Sequence, residues 1–276
     1  MKTPAFDLDE LAQQSPAAGA GERPGTRSLG RVTRLMRMVA SRPQFGWRLS
    51  DLAAACDLDR ATVHRMLAFL VEERLVEQRA ADRHYLPGPL MFELGLALPD
   101  HMRFQRRAET VVGAFGRRLG GIGVLLLRSG NEYVCSVRAG SLPLNGSVLY
   151  PGNRRPLFTS AGGVAILQTL PADEMRAVLL DNVAQEVARC GTERLAALQR
   201  MRERSDRHGF GVNLGDVVPG IHAFAVPVCG TAGNTVASVG LLGPPDLYGE
   251  RDVNRLRDEL QATGALLAED LRKLNM

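Results

Sequence analysis

LSDLAAACDLDRATVHRMLAFLVE, residues 49–72, reads as two short helices joined by a tight turn. Ser50 is placed to cap the first helix, with Asp51 behind it in the positive end of the helix dipole. Leu52 and Ala55 point to one side, and Cys56, Asp57 and Leu58 break the pattern. Asp59 is placed to cap the second helix, in which Val63, Met66, Leu67 and Leu70 recur three and four apart as one buried stripe. Arg60, Thr62, His64 and Arg65 lie off that stripe. They occupy the first turns of the second helix, where a helix-turn-helix protein presents side chains to bases and phosphates. An ordinary helical hairpin with a solvated polar face is the plainer reading of the same pattern.

The flanking segments favour the DNA reading. SLGRVTRLMRMVA, residues 28–40, is a helix with Leu29, Val32, Leu35, Met36 and Val39 on its apolar face. Arg31, Arg34 and Arg37 lie on or near the other side, and Arg34 is taken as a phosphate contact. SRPQFGW, residues 41–47, is a loop punctuated by Pro and Gly. After the helix pair, Leu75 to Gln78 alternates apolar and polar, residues 79–83 turn, and His84 to Gly88 returns, which makes a short hairpin. Three helices and a hairpin form a winged helix-turn-helix, with Arg79, Arg83 and His84 on the wing. Between Thr26 and Gly88 there are eleven arginines and seven acidic residues. The tail before is −2 and everything after is +2, so this region holds the imbalance behind the net charge of +4. A phosphate-facing surface has that character.

The whole chain of 276 residues has room for about two domains. Residues 1–25 read as a disordered tail, 26–88 as the DNA-binding domain, 89–102 as a linker helix and 103–276 as a second domain. PLMFELGLAL, residues 89–98, is apolar enough to pack against a second subunit, and Pro99 is expected to end it. From Arg103 the pattern is mixed. A helix runs to about Leu119, and Ile122–Arg128 and Glu132–Arg138 make a hairpin across Gly130 and Asn131. Pro143 to Tyr150 is a further strand candidate. Helices follow over Thr159–Leu170, Pro171–Leu180 and Thr192–His208, then strands over 210–214, 221–228 and 235–242, and a closing helix to Leu274. The fold class is α+β, with a mostly antiparallel sheet suited to a small-molecule pocket.

No apolar run approaches a membrane span, and MKTPAFDLDE lacks the features of a secretion signal. A cytoplasmic location is therefore expected. Cys56, Cys135, Cys190 and Cys229 have no metal-ligand spacing, and free buried thiols are expected, with no metal and no cofactor. A redox-sensing cysteine is an open alternative. G-x-S-x-G, H-E-x-x-H and phosphate-loop motifs are lacking. A hydrolase pair of Ser160 with His208 or His222 has no sequence context to support it, so the chain is not expected to be an enzyme. His208, at a helix end, is expected to favour the C-terminal dipole.

In LSDLAAACDLDRATVHRMLAFLVEERLVE, RHYLPGPLMFELG, PLFTSAGGVAIL, HGFGVNLGDVVPGIHAFAVPV and SVGLLGP, from about Ser28 onward, the chain resembles the IclR family of bacterial transcriptional regulators. The resemblance implies an N-terminal winged helix, a linker helix and a C-terminal GAF-like effector-binding domain, in a homodimer or homotetramer acting on double-stranded operator DNA. It places Ser160, Ala161, Gly162, Asn213, Ala223, Gly240 and Leu242 around the effector. Four departures from the family pattern stand out. Asp57 replaces the usual turn glycine, Phe158 and Val164 stand where a His and a Lys are frequent, Ala223 stands for a Cys, and Gly240 and Leu242 stand for serines. The pocket has lost polar groups, which points to a larger or more aromatic metabolite than a small keto acid. A protein that only coats or bends DNA, without a ligand, is the alternative, and the 170-residue second half argues against it.

Overall fold

The structure is a computed structural model that describes residues 6–14, 27–140, 142, 149–231 and 233–274. The chain folds as two compact units. One holds the N-terminal segment and everything from Arg103 onward; the other holds the residues between, through Met102.

The N-terminal segment contains α1, Leu8–Gln14. This corrects the expectation of a disordered tail at residues 6–14, while residues 1–5 and 15–25 lie outside the described residues. Leu8 and Leu11 fall three apart and are both buried. A stripe of that size is too short to stand out in a sequence but is enough to dock one short helix on a neighbour.

The second unit begins with α2, Arg27–Ala40, followed by α3, Leu49–Cys56, and α4, Arg60–Glu72. Leu35, Val39, Leu52, Cys56, Val63 and Leu67 pack into its core. Leu29, expected on the buried face of α2, is exposed. β1, Val76–Gln78, pairs antiparallel with β2, Tyr85–Pro87, as the wing. The loop before α3 joins it: Trp47 and Tyr85 exchange backbone hydrogen bonds at 3.0 and 2.8 Å. Gly88 ties the wing to the end of α4, since its N–H donates to the Leu75 carbonyl at 2.9 Å. A Cβ there would lie 2.2 Å from the Arg74 carbonyl oxygen, so only glycine fits.

The expected linker helix is two helices. α5, Pro89–Gly95, buries no residue, and α6, Pro99–Leu119, starts at the proline that was expected to end a helix. Proline suits the first turn of a helix, where its missing N–H has no partner to lose.

The larger unit is built on a six-stranded antiparallel sheet. Its strands are β3, Ile122–Ser129; β4, Glu132–Ala139; β5, Arg154–Pro156; β6, Gly211–Leu214; β7, His222–Cys229; and β8, Thr235–Gly243. The spatial order is β5-β4-β3-β8-β7-β6. Of the strand expected over 143–150, residues 143–148 lie outside the described residues and 149–150 are irregular; the edge position is taken by β5. α6 and α10, Val253–Lys273, cover one face of the sheet through Val112, Leu125, Phe224, Val239 and Leu260. α7, Ala161–Leu167, α8, Ala172–Cys190, and α9, Leu195–His208, cover the other through Leu126, Ile166, Leu179 and Met201. Alternation along each strand feeds both cores, which is why the strands read as nearly continuous apolar runs. The four thiols are free; Cys56 and Cys135 are buried, whereas Cys190 and Cys229, expected inside, end α8 and β7 in exposed positions. Burial pushes the Cys135 thiol up to about 12. Among the described residues no helix is long and apolar enough to cross a membrane.

Candidate DNA interface and effector site

The turn between α3 and α4 depends on Asp57, which adopts a left-handed conformation at φ 52°, ψ 51°. The Leu58 N–H donates to the Ala53 carbonyl at 3.0 Å and the Asp57 N–H to the Ala54 carbonyl at 3.2 Å, a Schellman closure. The turn usually made by glycine therefore forms with aspartate, whose short polar side chain tolerates this region. Asp59 then caps α4, its carboxylate accepting from the Thr62 N–H at 2.8 Å. The Thr62 hydroxyl and N–H hold the Asp59 carboxyl below its ordinary value. The corresponding expectation for Ser50 is corrected. α3 starts two residues earlier, Arg48 occupies the cap position without a side-chain bond, and the Ser50 hydroxyl donates to Asp51 at 3.1 Å.

These caps present the first turns of α4. Arg60, His64 and Arg65 are exposed, and Ser50 is exposed on α3. Thr62 is half-buried and accepts from Arg65 Nη2 at 3.4 Å, so it positions that guanidinium as well as capping the helix with Asp59. Arg34, on the exposed side of α2, donates to the Ala55 carbonyl at 3.3 Å, near the end of α3.

The wing residues divide into two groups. Arg79 donates to both Asp82 oxygens at 2.9 and 2.7 Å and to the Phe45 carbonyl at 2.9 Å. The His84 ring lies 2.9 Å from the Asp82 carboxylate. Asp82, held well below the usual carboxylate range chiefly by Arg79, thus organises two of the three expected phosphate contacts into the turn itself. Arg83 sits exposed in the turn at φ 61°. A residue the sequence reading passed over is Arg42, whose guanidinium lies 3.8 Å above the Trp47 ring. The sequence signal was present, an arginine five residues before the single tryptophan, but their stacking depends on how the loop folds back.

The expected effector residues come from α7 and the sheet face beneath it. Register aligns Asn213, Ala223, Leu242 and Ile122 in one cross-strand row. Gly240 lies two rows on, on the same face, between Ala225 and Val124. Ser160 caps α7, its hydroxyl accepting from the Gly163 N–H at 3.0 Å. Burial raises the Tyr133 pKa. Ala161, Gly162 and Gly240 are buried. A Cβ on Gly162 would lie 2.6 Å from Leu126 Cδ1 and 2.9 Å from Ser238 Oγ, so this position serves close packing of α7 on the sheet. Asn213 Oδ1 accepts from the Asp216 N–H at 2.9 Å and folds the loop after β6. Ser160, Ala223 and Leu242 are half-buried, and of the seven expected residues only Ser160 and Asn213 carry polar side chains, both uncharged.

The histidines are engaged elsewhere. The His222 ring meets the Tyr248 carbonyl at 2.6 Å, and His208 ends α9 with its pKa lowered by burial and then by Arg207. Neither is bonded to Ser160, and His208 does not gain the raised pKa expected of a dipole partner.

Two family models match this chain: the IclR helix-turn-helix domain over residues 28–80 and the bacterial transcriptional regulator IclR C-terminal domain over residues 110–268. The HTH-type transcriptional repressor AllR of Klebsiella pneumoniae is 26% identical over 268 residues, covering 95% of this chain and 92% of the relative. An IclR-type regulator from Silicibacter sp. TM1040 shares the fold at a TM-score of 0.69 and 20% identity, covering 90% of this chain and 96% of that one. An IclR homologue from Microbacterium hydrocarbonoxydans complexed with 4-hydroxybenzoate shares the fold at a TM-score of 0.62 and 20% identity, over 88% and 98% of the two chains. The second model alone spans more than half of the chain, so the protein belongs to the IclR family of bacterial transcriptional regulators, with a helix-turn-helix DNA-binding domain and a C-terminal effector domain, and is not an enzyme.

Proposed function

We propose that this regulator reads a roughly palindromic operator as a dimer and responds to a small organic ligand of aromatic or otherwise apolar character. The observation that carries the DNA half is the double anchoring of α4. Asp57 fixes the turn and Asp59 caps the helix, so the first turns with Arg60, His64 and Arg65 are held outward. In a dimer two such helices enter successive major grooves. His64, Arg65 and Thr62 are the candidate base contacts. Arg34, Ser50, Arg60 and Arg83 supply phosphate contacts, while Arg79 and His84 act mainly by holding the wing. The dimer contact is assigned to α5 and the residues after it, where Phe92, Leu94, Leu96 and Leu98 are all at least half-exposed.

For the ligand half, the cross-strand row supplies an apolar floor at Ala223, Leu242 and Ile122, and Ser160 supplies an uncharged hydroxyl. None of these residues is a charged partner for a carboxylate, whereas an aromatic ring with a hydroxyl suits them. 4-Hydroxybenzoate, the ligand of the Microbacterium homologue, has the ring and hydroxyl but also a carboxylate without a charged partner here, so it is probed beside uncharged phenols, which are expected to bind at least as well. Effector binding shifts DNA affinity only through its different affinity for two arrangements of the protein.

The test is selection of bound duplexes from a random pool by the purified protein, alongside a thermal-shift screen. Recovery of a palindromic site and stabilisation by aromatic compounds are expected. No enrichment sinks the operator reading, and stabilisation by small aliphatic acids alone sinks the ligand reading.

A further inference from the structure

Helix α1 belongs to neither the DNA interface nor the effector site, yet specific contacts hold it. Asp7 caps it, accepting from the Asp9 and Glu10 N–H groups at 2.8 and 3.3 Å. Leu8 and Leu11 are buried on the α8–α9 side of the effector domain, with Phe6 and Ala12 packed beside them. At its start Arg202 of α9 donates to the Phe6 carbonyl and lies 5.9 Å from the Phe6 ring. At its end Arg176 of α8 donates to Gln14 at 2.9 Å.

Arg202 is only 5% exposed, and its Nε and Nη1 have no hydrogen-bond partner. It borders a small cavity together with Val164, Leu167 and Gln168 of α7, Met175 and Leu179 of α8, and Asp206 of α9. Arg202 therefore touches both the start of α1 and a cavity bordered by the C-terminal end of α7, the helix that Ser160 caps.

A seven-residue helix has no stability of its own, so docking orders it. Ordering nine residues opposes the burial of two leucines and part of a phenylalanine, so the Asp7 cap and the Arg202 and Arg176 bonds are needed to hold the docked state. Two unpaired guanidinium donors weaken the docked state further. The docked state is therefore favoured, by a margin smaller than the stability of the whole domain. The topology gives release a consequence. α1 belongs to the effector domain, twelve residues then lead to Arg27, and the chain re-enters the effector domain at Arg103. The DNA-binding domain is tied at both ends, and α1 is the tie that can let go.

We propose that residues 6–14 are a latch: docked on α8 and α9, they restrain the DNA-binding domain at its N-terminal end, and released, they leave it held through α5 and α6 alone. The further step, that a ligand at Ser160 and the latch act on one another through α7, rests on the effector site proposed above. Such coupling is reciprocal and typically about 5- to 150-fold in affinity.

The experiment uses the full chain, a Leu8→Asp/Leu11→Asp variant and a deletion of residues 1–14, the deletion guarding against a misfolded double variant. Hydrogen exchange is expected to give slow amides at 8–14 in wild type and fast ones in the double variant, with α3 and α4 unchanged. Affinity for the duplex recovered by selection is expected to change at least fivefold, in either direction, in both variants. Affinities within twofold of wild type, or fast exchange of residues 8–14 in wild type, overturn the latch. If selection recovers no duplex, the operator reading fails and small-angle scattering decides the latch. Both variants must then show a wider spread of dimensions than wild type, and an unchanged profile overturns it.

Discussion

Replacing Asp57 tests the turn that aims α4. At φ 52° and ψ 51° the residue is in the left-handed region, where an L side chain costs about 1–2 kcal/mol and aspartate somewhat less. Asp57→Ala keeps that cost and loses the local polar compensation, so it should destabilise the DNA-binding domain by about 1 kcal/mol. Asp57→Gly removes the cost, but the freer unfolded chain returns part of the gain, leaving about 0.5 kcal/mol of stabilisation. The expected order is Gly above Asp above Ala, with a spread of about 1.5 kcal/mol from these two effects. The single tryptophan, Trp47, is 7% exposed within this domain, so its fluorescence in urea follows this domain and not the other. DNA affinity should be the same for Asp57→Gly and wild type, because the turn already has its final shape. Equal stability of the Gly and Ala variants would refute the left-handed turn.

Four further outcomes follow from the same geometry. Gly88→Ala places a Cβ 2.2 Å from a backbone oxygen, and overpacking of this kind costs about 1–3 kcal/mol, read by the Trp47 urea midpoint. The Asp82 carboxyl is held below its ordinary 3.8, so its contribution to stability is present above that pH and is lost as pH falls below it. Asp82→Asn should therefore lower stability at neutral pH and flatten the acid limb of a stability–pH curve. Arg83→Ala should make the salt dependence of DNA binding shallower by about one ion per monomer, whereas Arg79→Ala should loosen the wing with a smaller change in slope. Gly162→Ala should destabilise the effector domain by about 1–3 kcal/mol, because the new methyl meets Leu126 and Ser238, measured by calorimetry.

The winged helix was legible because its signals are local. The α4 stripe, the Asp59 cap and the hairpin after it all act within a few residues of each other. The strand pairs of the effector domain were legible for the same reason, from Gly130 and Asn131 between β3 and β4. What escaped depends on contacts distant in sequence. Leu8 and Leu11 make a helix only because α8 and α9 receive them. α8 runs ten residues past its expected end because Asn182, Val183 and Glu186 are buried, the last paired with Arg189 and Arg194. Arg79 and His84 looked like phosphate ligands because their common partner, Asp82, was read as a plain turn residue. At the effector site, register brings Asn213, Ala223 and Leu242 into one row, but the close approach of Gly162 to Leu126 marks that position as packing, which no pattern in the sequence reports.

The central claim is that the first turns of α4 read bases. It is tested most directly by the ratio of affinities for the selected duplex and a scrambled one, measured for wild type and Arg65→Ala at one salt concentration. The substitution is expected to lower the ratio by about 5- to 100-fold, the worth of a lost base contact, while scrambled-duplex affinity falls only slightly. Equal losses on both duplexes would make Arg65 a phosphate contact and contradict the assignment of α4 as the reading helix through this residue.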